Sequence, residues 1–224
     1  MLTIGSLFSG IGGFDLGLER AGMKVIWNCE IDRYACRVLK KHWPDIPNLG
    51  NIKEINWNDV PRPDLLCGGY PCQPFSYAGA RQGEQDERHL FPFFAEAIRQ
   101  LRPKYAIMEN VPGHLSMGFG NVLGNLAAIG YDSQWDCVSA ASIGAPHLRD
   151  RVFIIAVDAN RHSQLFGPKF CEPKRCAWLP RPDIRGVAHG IPNRMDRLRG
   201  LGNAVVPQVA EHIGRIVIAH DALC

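Results

Sequence analysis

Long apolar runs are missing from this 224-residue chain: the longest pure one, Val152 to Val157, is about six residues. Crossing a bilayer takes roughly 20, so no membrane-spanning helix is expected. The N-terminal stretch MLTIGSLFSGIGG has neither a charged n-region nor an extended apolar segment, which predicts no export signal and a cytoplasmic protein with reduced thiols. Paired metal-ligating cysteines are also missing. Of the eight cysteines, Cys171 and Cys176 stand five apart with His162 and His189 flanking them, but no CxxC and no second pair follows. No metal is expected there, and a chain this long does not need a disulfide scaffold to hold its core. Internal repeats and low-complexity segments are absent too.

The chain is 46% hydrophobic and 21% charged, enough apolar material for one sizeable core but too short for two full enzyme domains. Net charge is +3, and its distribution is uneven: residues 158–200 carry +5 and everything else −2. A positive segment beside a near-neutral body suits a polyanionic partner, and equally suits a solvated basic loop.

Through the first two-thirds, strand-like stretches (2–8, 24–28, 64–69, 105–109, 131–138, 151–157) alternate with helical ones (14–21, 32–42, 89–101, 119–129). This pattern predicts an α/β fold, a mostly parallel sheet with helices on both faces. Periodicity stops from about 158 to 190, where Pro, Arg, Gly and Cys take over as a small irregular insert. LGNAVVP then reads as a turn leading into a helix over about 206–219. The organisation expected is a catalytic and cofactor-binding domain over 1–157, a short target-recognition region over 158–200, and a C-terminal helix over 201–224 completing the first domain.

Ligands of such sheets sit at the carboxyl ends of strands, and the unusual residues are there. FSGIGGF (8–14) joins the first strand to the first helix, and its glycines allow a tight turn and a close backbone approach. The next strand ends at Glu30, an acceptor suited to a ribose diol. Without a Walker lysine or a full G-x-G-x-x-G, a nucleoside lacking a pyrophosphate fits better than NAD or ATP; an ordinary strand-to-helix turn fits as well. Cys72 lies on a proline-bounded loop past the third strand (GGYPCQPFS, 68–76), a context for a positioned thiolate or for a structural thiol. Glu109 ends the next strand, where a neighbouring thiolate and burial would raise its pKa and keep it protonated as an acid. Arg149 and Arg151 open the last strand, placed to hold the carboxyl, a substrate or a phosphate, or to form surface ion pairs.

Taken in order, FSGIGGF, Glu30, PCQPFS (71–76), ENV (109–111), RDR (149–151) and GNAVVP (202–207) resemble the cytosine-5 DNA methyltransferase family. The resemblance spans nearly the whole chain. It implies a Rossmann-like fold dependent on S-adenosylmethionine, with Phe8, Gly10, Ile11 and Gly12 lining the cofactor site, Glu30 on the ribose and Ile31 against the adenine. Asn51 stands where the family usually has an acidic residue toward the adenine amino group. Asn203 and Ala204 would close the site from the C-terminal side, Ala204 replacing a common serine, and His147 replaces the glutamine that leads the R-x-R motif.

On the reaction side, the resemblance implies that Cys72 attacks carbon 6 of a flipped cytosine while Glu109 protonates or hydrogen-bonds nitrogen 3. Arg149 and Arg151 would hold the base and Glu109, and Gln73 and Ser76 would belong to a segment closing over the base. Ser76, Arg81, Arg175, Arg185 and Arg194 are the expected DNA contacts. The activity implied is transfer of a methyl group to carbon 5 of cytosine in double-stranded DNA by a monomer, bacterial or phage-encoded, with a cognate restriction endonuclease as a further partner. The alternatives are a tRNA-methylating relative and a DNA-binding module or subunit inactive without a partner. The recognition insert, about 43 residues, is far shorter than is usual in the family.

Overall fold

The computed structural model describes residues 1–71, 90–161 and 194–223. In chain order these form β1 (Thr3–Leu7), α1 (Gly13–Arg20), β2 (Lys24–Cys29), α2 (Arg33–His42), β3 (Leu65–Gly69), α3 (Phe91–Leu101), β4 (Tyr105–Asn110), α4 (Phe119–Ala128), β5 (Tyr131–Ser139), β6 (Asp150–Asp158), α5 (Arg194–Asn203) and α6 (Pro207–Asp221). One sheet runs β2-β1-β3-β4-β6-β5. Its left half is parallel, whereas β6 runs against both β4 and β5. The expected α/β architecture is therefore present as a mixed sheet. Among the described residues no helix is long and apolar enough to cross a membrane.

The side-chain period of two explains how one sheet builds two cores. Leu66, Ala106, Met108 and Ile154 face α3 and α4, joining Phe94, Ile98 and Leu126. Their neighbours in sequence, Leu65, Cys67, Ile107 and Phe153, face α1 and α6, joining Leu18, Val209 and Ile213. Burial on both faces is why β3, β4 and β6 read as continuous apolar runs. Helix α1 approaches α6 closely because Gly17 has no side chain: a Cβ there would stand 2.3 Å from the Pro207 carbonyl oxygen.

The departure from expectation is α5. The sequence pattern puts residues 194–200 at the end of the target-recognition region and 201–203 in a turn, whereas the structure has one helix across the 200/201 boundary. Its sequence, RMDRLRGLGN, holds two glycines, and Met195, Leu198 and Leu201 stay 76%, 54% and 64% exposed. No buried stripe forms despite the three-residue spacing of these apolar side chains. Residues 162–193, with Cys171, Cys176, His162 and His189, lie outside the described residues.

Beneath the glycine loop, Ser6 donates to Asp15 Oδ2 at 3.0 Å, while Asp15 Oδ1 is buried without a hydrogen-bond partner. Burial pushes the Asp15 carboxyl up to about 7, against the opposing pull of the Ser6 bond. The unfolded chain ionises this group near pH 4, so stability falls as pH climbs from there and levels off above about 7, a loss on the order of 4 kcal/mol. Asp15→Asn should match the native chain in urea unfolding at pH 4 and exceed it increasingly up to pH 7.5. A difference that is constant with pH would contradict this account.

Candidate active site

The carboxyl ends of β1 and β2 build the first half of the site. After Leu7 the chain turns through Phe8 (φ 51°), Gly10 (φ 55°) and Gly12 (φ 85°) before α1 begins at Gly13. Two of these glycines are required by space as well: a Cβ on Gly12 would meet the Trp43 ring at 2.4 Å, and one on Gly13 would meet the Val205 carbonyl oxygen at 2.3 Å. The turn aims the Gly10 N–H at Glu30 Oε2, 2.8 Å away, while Ile31 and Asp32 N–H groups donate to Oε1, each at 2.8 Å. Three backbone donors thus fix the carboxylate between two strand ends. A carboxylate offers about four acceptor positions, so one remains.

The second half stands at the ends of β3 and β4. Gly69 is in register with Glu109, and a Cβ there would come within 2.8 Å of Glu109 Oε2; glycine makes room for the carboxyl. Glu109 is 8% exposed, and Arg151 Nε lies 2.8 Å from its Oε1. Burial holds the Glu109 carboxyl above its ordinary range, with the Arg151 and Arg149 guanidinium groups pulling the other way. Arg149 points elsewhere: it donates at 2.7 Å to the carbonyls of both Gly202 and Ala204, tying the end of α5 to the start of β6. Its Nε is buried without a hydrogen-bond partner. Burial, then Arg151 beside it, lowers the Arg149 pKa.

Both halves open into one cavity of about 330 Å³, within the range of small-molecule sites. Phe8, Gly10 and Ile11 line it, as do Glu30, Ile31 and Asn51. So do Glu109, Arg149 and Arg151, with Asn203 from the end of α5. Gly12 stands behind the wall against Trp43, and Ala204 contributes its carbonyl to Arg149. Asn51 caps a short turn, its oxygen accepting from Lys53 N–H at 3.2 Å and its amide donating to Glu54 at 2.7 Å. Cys72, Gln73, Ser76, Arg81, Arg175 and Arg185 lie outside the described residues, and of Arg194 only the backbone is described. The described chain reaches the cavity at Pro71, one residue before Cys72.

Among the lining residues that the sequence reading did not single out, one charged pair stands out. Asp32 caps α2 by accepting from Tyr34 and Ala35 N–H groups, and Arg199 of α5 pairs with it at 3.5 Å across the cavity. The Asp32 cap was legible as an acidic residue just before a helical period. Nothing local marks Arg199, because its partner is distant in sequence.

Residues 2–186 match the family model described as C-5 cytosine-specific DNA methylase. The chain is 37% identical over 159 residues to the type II methyltransferase M.BsuFI of Bacillus subtilis, covering 69% of this chain and 39% of that protein. To M.HhaI of Haemophilus parahaemolyticus it is 34% identical, covering 71% and 50%. Among solved structures, a DNA modification methyltransferase encoded within an E. coli prophage superposes with a TM-score of 0.62 at 28% identity, over 77% of this chain and 52% of that one. A Spodoptera frugiperda DNMT2 variant gives 0.62 at 25% identity, over 81% and 56%. The chain therefore spans about half the length of the curated relatives it matches, from 36% of M.HgiCII of Herpetosiphon aurantiacus to 54% of M.NgoMIV of Neisseria gonorrhoeae.

Proposed function

The chain belongs to the C-5 cytosine-specific DNA methylase family, and from that premise we propose that it transfers a methyl group from S-adenosylmethionine to carbon 5 of cytosine in double-stranded DNA. The observation that carries this reading is the buried Glu109 carboxyl, held by Arg151 and facing Gly69, three residues before Cys72, in the same cavity as Glu30 and Gly10.

The residues fit the cofactor. Glu30 keeps one acceptor position for a ribose hydroxyl, Ile31 is 68% exposed on the cavity wall where an adenine face would be covered, and Asn203 closes the opposite side. The glycine loop offers no lysine for a phosphate, which suits a cofactor without one. When bound, that cofactor supplies an electrophilic methyl group.

The chain's own part is to make carbon 5 of cytosine nucleophilic. A base stacked in a duplex cannot be attacked on its face, so it must be swung out. The Cys72 thiolate forms a sulfur bond to carbon 6, and the ring electrons move toward carbon 5 as Glu109 delivers its proton to nitrogen 3. Carbon 6 is a poor electrophile without that proton, so sulfur and carboxyl act together. Arg151 orients the carboxyl and balances the charge left on it. After carbon 5 is alkylated, loss of its proton to water restores the double bond and expels the Cys72 thiolate, and the proton on nitrogen 3 returns to Glu109.

Double-stranded DNA is the proposed partner, contacted through the basic 158–200 region, and the protein is proposed to be a cytoplasmic monomer, with a restriction endonuclease of the same site as its companion. Labelled cofactor incubated with plasmid DNA and, separately, with tRNA tests the substrate. Label in DNA alone is expected, followed by bisulfite mapping to one short site. Label in tRNA alone would overturn the DNA reading, and transfer that needs a second polypeptide would overturn the monomer.

A further inference from the structure

Outside the cavity, one buried polar contact links the two strand ends that meet at the site. Tyr70 follows β3 and is 2% exposed; two residues later comes Cys72. Its hydroxyl lies 2.7 Å from His114 Nε2, and His114, with no exposed surface, has Nδ1 2.8 Å from the Met117 carbonyl oxygen. A carbonyl only accepts, so the assignment satisfying both contacts puts the ring proton on Nδ1 and makes Nε2 the acceptor of the Tyr70 O–H. Burial pushes the Tyr70 phenol well above its ordinary pKa, which keeps the donor in place.

The same tyrosine is held at its backbone. Asn110, next after Glu109, donates its side-chain amide to the Tyr70 carbonyl at 3.3 Å and accepts from Val111 N–H at 2.8 Å. His114 sits on the short 3-10 turn Pro112–Ser116 that directly follows β4. The residue after β3 is therefore pinned, by side chain and by main chain, to the segment that carries Glu109. Phe91 adds a third tether: its ring lies 5.4 Å from that of Tyr70, and Phe94 lies 6.4 Å away. Chain enters residues 72–89 just after Tyr70 and returns just before Phe91, so one aromatic contact gathers both stems.

We propose that His114 is a positioning residue for the reaction: through Tyr70 it fixes where the chain leaves β3, two residues before Cys72, relative to the Glu109 carboxyl. The proposal rests on the methyl-transfer reading above. Neither side chain lines the cavity that Glu30 and Glu109 share, so any effect they have on the reaction passes through the backbone that follows β3. Misplacing reacting groups by about an ångström costs up to about 10²-fold in rate, whereas a hydrogen bond that only stabilised the fold would leave the turnover of folded enzyme unchanged.

Tyr70→Phe removes the hydroxyl and keeps the ring contacts. It should lower kcat for transfer to plasmid DNA about tenfold, with KM for S-adenosylmethionine unchanged. His114→Phe should lower it equally, the double variant no further, since both break one pair. His114→Gln, which restores an acceptor for the phenol, should recover much of the rate. Unchanged kcat in folded Tyr70→Phe, or losses that multiply in the double variant, would overturn the proposal. The pair is also read without turnover: nitrogen NMR of the full chain should show one His114 tautomer, protonated on Nδ1, with an Nε2 shift that moves in Tyr70→Phe. A proton on Nε2 would overturn it whatever the activity. A native chain that shows this tautomer but transfers nothing would instead count against the methyl-transfer reading, and with it the role given to His114.

Discussion

Cys72→Ala should abolish methyl transfer, a loss of at least about 10⁴-fold, while affinity for S-adenosylmethionine stays within about twofold of the native chain. The split follows from the layout of the cavity. The proposed cofactor contacts come from Glu30, Ile31 and the glycine turn at the ends of β1 and β2, whereas Cys72 follows β3 in the chain and is proposed to meet the base. Other described cysteines are poor substitutes. Burial drives the Cys67 thiol far above its ordinary pKa and the Cys29 thiol up to about 12. Cys36 and Cys137 are raised as well, again chiefly by burial. A thiol held protonated is a weak nucleophile. Calorimetric titration of the cofactor into the variant, beside label transfer to DNA, checks both halves. Residual transfer well above background from Cys72→Ala would mean that carbon 6 is not attacked by this sulfur.

The parts of this molecule that sequence made visible are those whose cause is local. Largely continuous apolar runs over Leu65–Gly69 and Tyr105–Asn110 announced buried strands, and the glycines after Leu7 announced a turn that side chains would obstruct. Glu30 and Glu109 stood out because a carboxylate at the end of an apolar run has no core to fill. What stayed hidden depends on pairing across the fold. Arg149 is expected, with Arg151, to hold the base and Glu109, and the contacts that position it, with the Gly202 and Ala204 carbonyls more than 50 residues away, were not legible in the sequence. The Tyr70–His114 bond spans 44 residues and joins two side chains that each read as ordinary core. Helix α5 has neither a buried stripe nor a strong stop, and the Arg199–Asp32 pair that spans the cavity depends on it.

The other large effect concerns the acid. Glu109→Gln should lower kcat by about 10²- to 10³-fold, with DNA affinity nearly retained. Glutamine fills the same space opposite Gly69 and still donates a hydrogen bond to nitrogen 3, but it has no proton to give. The sharper consequence is in the pH profile. On the proposed mechanism transfer needs Cys72 ionised and Glu109 protonated, so activity should rise with pH as the thiol ionises and fall as the carboxyl does. Because burial raises the Glu109 pKa against the pull of Arg151 and Arg149, its acid form persists at higher pH than that of an ordinary glutamate, widening the active range upward. In the glutamine variant nothing at this position titrates, so the alkaline limb due to Glu109 should vanish while the acid limb set by Cys72 remains. Single-turnover transfer to plasmid DNA across pH 5 to 9 separates the two limbs. If Glu109→Gln kept the alkaline fall unchanged, the proton would come from another group, and Glu109 would serve only to hold the base.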